Sequence, residues 1–360
     1  MVEHSTQLQS FLRTKIAKDG PMGLDAFMGY ALGAPDIGYY MTRDPLGRGG
    51  DFTTAPEISQ MFGEMIGAWL ADIWAQHGSP PEFILLEMGP GRGTLMADIV
   101  RTCAKVPGFL DAAQIHLIEI SPVLKAKQRE TLSGLDVHWH DDLQSLPNDK
   151  PIFFIANEFF DALPFKQYIY KGSKWAERLV DCNDDAFVFT EQMVMFDPLD
   201  GVNLPLPEEG KVFEISRARQ NFMADMARML KAKSGAGLII DYGHLKPGYG
   251  DTFQALRGHE YSDPFKNLGQ SDLTSHVDFW ALSAAAVEQD VDILGMGRQG
   301  DFLLALGIQL RAHQLLQNAS GQSTKDIQKA LHRLVHSDEM GSLFKVIGLN
   351  YGASVKPAGF

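Results

Sequence analysis

Residues 83–95 read FILLEMGPGRGTL. An apolar run reaches a carboxylate, Glu87, and then Gly89, Gly91 and Gly93 follow at every second position. The run has the length and character of a buried strand, and the residues from Thr94 onward resume a helical pattern. Glycines placed just after a strand permit positive φ and let a ligand approach the backbone closely. The helix that starts near Gly93–Thr94 offers N–H groups with no intrahelical partner.

The carboxylate decides which ligand. A dinucleotide fingerprint, G-x-G-x-x-G, requires glycine at position 94, and this chain has Thr94. A pyrophosphate would also be repelled by Glu87, whereas an ammonium or a ribose hydroxyl would not. S-adenosylmethionine carries an ammonium, a sulfonium and a ribose, and no phosphate. Glu87, Gly89, Gly91 and Gly93 therefore read as an S-adenosylmethionine pocket. The next strand ends in Glu119, 32 residues after Glu87, where a carboxylate can accept both ribose hydroxyls. After the third strand, HWHDDL puts Asp141 and Asp142 within reach of the adenine amino group. Asp142, before LQSL, reads equally well as a helix N-cap.

Working outward, strands alternate with helices. Strand candidates are 83–88, 114–120, 136–140, 151–157 and 237–243, with helices expected over 93–104, 121–132, 142–146 and 211–233. Such alternation predicts an α/β fold with a parallel, doubly wound sheet. Upstream, PEISQMFGEMIGAWLADIWAQHG is an amphipathic helix ending at Gly78. STQLQSFLRTKIAKDG is a helix with Ser5 as its cap and Gly20 as its stop, and GLDAFMGYALG is a shorter one. Residues 165–205 alternate with period two around KGSK and CNDD, which predicts added hairpins. Residues 250–275 read as a short strand and a long loop. A helix over 276–289, the stretch VDILGM, two helices near 300–318 and 324–337, and a last strand LFKVIGL complete the chain. That last strand has no crossover before it, so an antiparallel final pair is expected. The organisation expected is an N-terminal helical segment with an active-site lid over 1–60 and a catalytic domain over 61–360, interrupted by insertions at about 165–205 and 250–275.

Composition narrows the function classes. The chain has 360 residues, is 45% hydrophobic and carries a net charge of −13, with 45 acidic and 32 basic residues. No cluster of Lys and Arg provides a phosphate-binding patch, so nucleic acid is not an expected partner. Cys103 and Cys182 are not spaced as a metal motif, and no metal is expected. No apolar run approaches the ~20 residues that span a bilayer. The start, MVEHSTQLQS, has neither the signal-peptide pattern nor an Arg-rich transit pattern. The sequence is compatible with a monomer or a homodimer.

The fourth strand ends in ANEFFDALP, residues 156–164. Ligands of open α/β sheets sit at the carboxyl ends of strands, so Asn157, Glu158 and Asp161 project toward the reaction. Two carboxylates three residues apart suit a guanidinium fork. Alternatively, Asp161 caps the turn while Phe159 and Phe160 join the core. The segment APDIGYYMTRDPLGRGGDFTTAPEIS is rich in Gly, Pro and Asp yet holds Tyr39, Tyr40, Asp51, Phe52 and Glu57, as expected of a loop that folds over something.

Together, GYYMTRDPLGRGGDFTTAPEISQMFGE, EMGPGRGTL, ANEFFDALP, IIDYGH and LTSHVDF resemble the MidA-like family of S-adenosylmethionine-dependent methyltransferases. The likeness runs from about residue 20 to 350, and the GDFTTAPEIS and NEFFDALP blocks are its most specific parts. The resemblance implies a Rossmann-like class I core with a seven-stranded, mostly parallel sheet. It implies symmetric ω-nitrogen dimethylation of a protein arginine on a respiratory complex I subunit or its bacterial counterpart. A cytoplasmic location is expected if the chain is bacterial, and the mitochondrial matrix if it is eukaryotic. Two other readings stay open: a small-molecule methyltransferase, and a non-catalytic assembly chaperone that retains the cofactor fold.

Overall fold

The computed structural model describes residues 2–47, 50–184 and 186–360. Arg48 and Gly49 of the expected lid and Asp185 of the CNDD turn lie outside the described residues. The chain divides into two compact units, one of 1–52, 161–222 and 246–276, the other of 53–160, 223–245 and 277–360. The segments read as insertions belong to the first unit.

The second unit is built on one sheet whose main strands are β1 (Phe83–Met88), β2 (Ala113–Ile118), β3 (Val137–His140), β4 (Ile152–Asn157), β5 (Gly235–His244), β6 (Asp292–Arg298) and β7 (Phe344–Tyr351). Their order across the sheet is β3-β2-β1-β4-β5-β7-β6, and a short strand, Val277–Asp278, pairs with β5 beside this path. β3, β2, β1, β4 and β5 are parallel. β7 runs antiparallel to both β5 and β6, the antiparallel closing pair expected from the sequence. The strand order reverses between β1 and β4. In open α/β sheets ligands bind outside the carboxyl ends of the strands at such a reversal.

The helices that matter for the site are α1 (Gln60–Gln76), α2 (Thr94–Cys103), α3 (Pro122–Thr131) and α4 (Arg217–Lys233). Every residue of β1 is buried, as a central parallel strand covered on both faces must be. Met61, Phe62, Ile66, Trp69 and Ile73 of α1 and Leu95, Met96 and Ile99 of α2 pack into the same core as Phe83, Leu85, Phe153 and Ile155. This packing holds the turn after β1 on a rigid base.

The first unit holds the helices Val2–Asp19 and Leu24–Gly33. An antiparallel sheet carries Lys166–Lys171, Lys174–Asn183, Ala186–Met193 and Val212–Ile215, so the predicted hairpins are present. Residues 250–275 contain three short paired strands rather than one.

Several local expectations change. Ser5 is no cap, because the first helix already begins at Val2 and Ser5 is buried within it. The helix expected to start near Pro56 is two pieces, Ala55–Ile58 and α1, separated by Ser59. Ser59 is extended, and its hydroxyl accepts from Met61 N, which restarts the helix. Residues 142–146 form turns, not a helix. The span 211–233 begins as the strand Val212–Ile215 before α4. Val277–Asp278 pairs with β5, so the following helix starts at Phe279, with Asp278 as its cap. The stretch near 300–318 holds two helices, Gln299–Ala305 and Ile308–Leu316, and Gln322–Val335 follows.

Candidate active site

The register places the candidate residues of the second unit along one edge of the sheet. Glu87 on β1 is level with Leu117 on β2 and Ile155 on β4, and Asn157 is level with Ile240 on β5. Glu119 follows the end of β2 and Glu158 follows β4, so both lie at the carboxyl edge of the sheet, Glu158 directly at the reversal of strand order and Glu119 one strand beyond it.

Glu87 is 3% exposed, and burial pushes its carboxyl up to about 8. Its Oε2 has no hydrogen-bond partner among the described residues. A buried acceptor left unmet is costly, so such an atom marks a place where a donor belongs. The ammonium of S-adenosylmethionine brings three donors and a positive charge, which would restore the ionised form. The turn beside it is shaped to receive a ligand. Gly91 has φ +55°, in the left-handed region that a β-branched side chain tolerates poorly. Gly89, at φ +61°, has a second reason to lack a side chain, since a Cβ there would stand 2.8 Å from the ring of Phe159. Gly93 occupies the N-cap position of α2. The residues present therefore fit the cofactor.

Glu119 is 7% exposed, and burial raises its carboxyl above the usual range. It accepts from Ser121 N at 2.8 Å and from Gln128 Nε2 at 3.1 Å. Ser121, not Glu119, caps α3 through its hydroxyl. Gln128 is fully buried and also donates to the carbonyl of Gly91 at 2.7 Å, while Trp139 Nε1 donates to its Oε1 at 2.9 Å. One side chain thus ties the glycine turn to the candidate ribose acid. Gln128 is not among the residues expected from the glycine motif, although the sequence carries a signal for it. It lies four residues after Leu124 on the buried face of a helix, where a polar residue needs a reason.

Asp141 and Asp142 are exposed. Asp141 is paired with Lys125 at 2.5 Å, which lowers its pKa. Asp142 accepts from Ser145 N at 2.9 Å within a turn, so it caps a turn where a helix was expected. The structure brings neither into the buried network around Glu87.

Asn157 is buried. Its Nδ2 donates to Glu158 Oε1 at 3.2 Å, and its Oδ1 has no partner among the described residues. Glu158 has φ +52°, which is uncommon for a side chain of its size and recurs at functional sites. Its Oε1 accepts from Ala55 N at 2.9 Å. Glu57, in the same short helix as Ala55, accepts from Thr94 Oγ1 at 2.5 Å and lies 3.8 Å from Arg92 Nη1. Thr94 thus uses its hydroxyl to anchor Glu57, which is a physical reason for it to replace the third glycine of a dinucleotide motif. Asp241, in the IIDYGH block, is fully buried and accepts from Phe160 N at 2.9 Å. An acid inside an otherwise apolar strand was its sequence signal. Phe160 is fully buried, while Phe159 is half-buried against the glycine turn.

In the first unit, Tyr39, Tyr40 and Asp51 are knitted together. Tyr39 donates to Asp51 Oδ2 at 2.7 Å, Arg43 pairs with Asp51 at 2.8 Å, and Gly258 N donates to Asp51 Oδ1 at 2.8 Å. Tyr40 donates to Asp272 Oδ1 at 2.9 Å. Burial and these acids push both phenols up, and Asp272 is pushed up to about 8 by burial first and by Asp161 next. Phe52 is half-buried and bridges to Leu46. Asp161 is buried in this unit.

Residues 65–297 match a family model described as S-adenosyl-L-methionine-dependent methyltransferase. The chain belongs to the MidA-like family of S-adenosylmethionine-dependent methyltransferases. Protein arginine methyltransferase NDUFAF7 homolog, mitochondrial, of Drosophila melanogaster is 34% identical, over 94% of this chain and 83% of that one. The mitochondrial NDUFAF7 of Danio rerio is 33% identical over 93% and 84%. A Burkholderia thailandensis protein solved with bound S-adenosyl-homocysteine superposes with a TM-score of 0.88 at 30% identity, covering 98% of this chain and 94% of that one. The fold is that of a class I methyltransferase, S-adenosylmethionine is the cofactor, and this MidA-like chain is an enzyme. No helix among the described residues is long and apolar enough to cross a membrane.

Glu119 allows a test confined to the cofactor. Glu119→Ala should weaken S-adenosylmethionine binding by about tenfold or more, the worth of a charge-assisted hydrogen bond. Isothermal titration and a melting curve on the same variant decide the matter. A lowered Tm with unchanged affinity would make Glu119 a brace for Ser121 and Gln128 alone.

Proposed function

We propose that this MidA-like methyltransferase modifies an arginine of a protein, giving the symmetric ω-nitrogen product, with a respiratory complex I subunit or its counterpart as the target class that the family resemblance implies. The observation that carries the reading is the segment after β4. Glu158 stands there in a costly backbone conformation, and the buried Asp161 follows three residues later. The relatives from Drosophila melanogaster and Danio rerio, which are named protein arginine methyltransferases, support the same reading.

The cofactor supplies an electrophilic methyl group on a sulfonium. The chain must then hold, align and deprotonate. Glu87 and the Gly89–Gly93 turn would hold the amino-acid end and Glu119 the ribose, which leaves Asp141 and Asp142, both exposed, as the acids that would meet the adenine. A guanidinium stays protonated in water, with a pKa above ~12, and is a poor nucleophile. The acids of the ANEFFDALP segment, Glu158 and Asp161, would draw the positive charge away from the attacking nitrogen, and one of them would take the proton that leaves. Asn157 Oδ1 offers a further acceptor. Alignment of this kind can lower a barrier by roughly 7–11 kcal/mol.

The test is to incubate the purified protein with methyl-labelled S-adenosylmethionine and cell lysate, then hydrolyse the labelled fraction to amino acids. Symmetric dimethylarginine is the expected product. Label confined to small molecules would show a small-molecule methyltransferase. Cofactor binding with no label in any fraction would show an assembly protein that keeps the fold.

A further inference from the structure

Two of the blocks that carry the family resemblance, NEFFDALP and LTSHVDF, are joined within the first unit by a single side chain. Arg219, near the start of α4, is 4% exposed. Its Nη2 donates to the carbonyl of Asp161 at 2.9 Å, to the hydroxyl of Ser275 at 2.8 Å and to the carbonyl of Ser275 at 3.2 Å. Its Nη1 donates to the carbonyl of His276 at 2.7 Å. The guanidinium carbon lies 5.7 Å from the ring centroid of Phe165, which closes one face. Ser275 is fully buried. His276 N in turn donates to Thr252 Oγ1 at 3.0 Å, and Thr252 donates to Glu214 Oε2 at 2.5 Å.

A buried cation is tolerated only where its donors are met. Here the fork spans acceptors on two separate segments. Nη2 alone meets Asp161 and Ser275 and Nη1 adds His276, whereas a lysine ammonium is one point charge on a flexible stem, cannot fill both nitrogen positions and holds no fixed plane against Phe165. The bond to the Asp161 carbonyl fixes the backbone that carries the Asp161 carboxylate.

We propose that Arg219 is a positioning residue for methyl transfer: it clamps Asp161 to the Ser275–His276 segment and so sets where the Asp161 carboxylate stands against the substrate. The proposal rests on Asp161 being a substrate-binding acid. The experiment compares Arg219→Lys, Asp161→Asn and the double variant for methyl transfer to the same lysate fraction, with cofactor affinity and hydrogen exchange measured on each. Arg219→Lys should lower kcat by roughly ten- to a hundredfold, the penalty of a misplaced group, with cofactor Kd changed by less than about twofold. Backbone amides around 161–165 and 275–276 should exchange faster, and those of β1 and α2 should not. Added to Asp161→Asn, Arg219→Lys should cost little more, because both act through one carboxylate. Should Arg219→Lys fail to fold, Ser275→Ala removes one acceptor and should show the same pattern on a smaller scale. If Asp161→Asn is impaired but Arg219→Lys transfers at the wild-type rate, or if the two losses multiply, the positioning role is overturned while the substrate reading stands. A wild-type rate for Asp161→Asn overturns the substrate reading, and the positioning role with it. If no fraction accepts label, unchanged exchange in Arg219→Lys overturns the clamp.

Discussion

Gly91→Val should abolish measurable binding of S-adenosylmethionine while the fold survives. Two effects act at the same atom. The residue sits at φ +55°, where a β-branched side chain is strained by about 1–3 kcal/mol. The chain can relieve that strain only by moving the turn, which shifts the Gly91 carbonyl away from Gln128 Nε2, now 2.7 Å distant. Gln128 also holds Glu119, so the damage reaches the candidate ribose site as well as the turn. The loss expected is more than roughly a hundredfold in Kd, equivalent to about 2.7 kcal/mol. The core beneath β1 and α2 does not include Gly91, so circular dichroism and the cooperativity of melting should stay near wild type. A folded Gly91→Val protein that titrates with near wild-type affinity would falsify the assignment of the glycine turn to the cofactor.

Asp161→Asn and Glu158→Gln should each lose most methyl transfer and keep cofactor binding. Both changes keep the shape of the side chain and remove only the charge. A glutamine at 158 can still accept from Ala55 N, as Glu158 does, so the local structure should persist. A neutral amide offers one acceptor and one unwanted donor, so the charge that matches a guanidinium is lost. Each variant should lose about 10–100-fold in kcat/KM, the range for a hydrogen bond to a charged group. Replacing the acceptor arginine by lysine should be equally damaging. Wild-type turnover by both variants, measured with labelled cofactor, would make these carboxylates structural.

The glycine turn, the alternation of strands and helices and the antiparallel last strand were legible in the sequence because each is a local signal. A buried parallel strand reads as an apolar run, and three glycines after it have few other uses. Glu87 was legible for the same reason, since an acid inside an apolar run must answer to something. Element type survived better than element boundaries. The break at Ser59 and the strand before α4 depend on which backbone groups find partners elsewhere, and no local pattern records that.

Tertiary structure alone decided how distant residues join. It showed that Gln128 links Gly91 to Glu119, that Thr94 serves Glu57, and that Glu158 adopts a left-handed conformation while meeting the backbone of Ala55. It also separated acids that look alike in sequence. Glu87 and Glu119 are buried with raised pKa, whereas Asp141 is exposed and held down by Lys125. The physical reason is common to all of these. Propensity and periodicity act over a few residues of chain, while the burial and hydrogen bonding that set a carboxylate's chemistry draw on groups as distant in sequence as Ala55 is from Glu158, and only the folded chain brings those together.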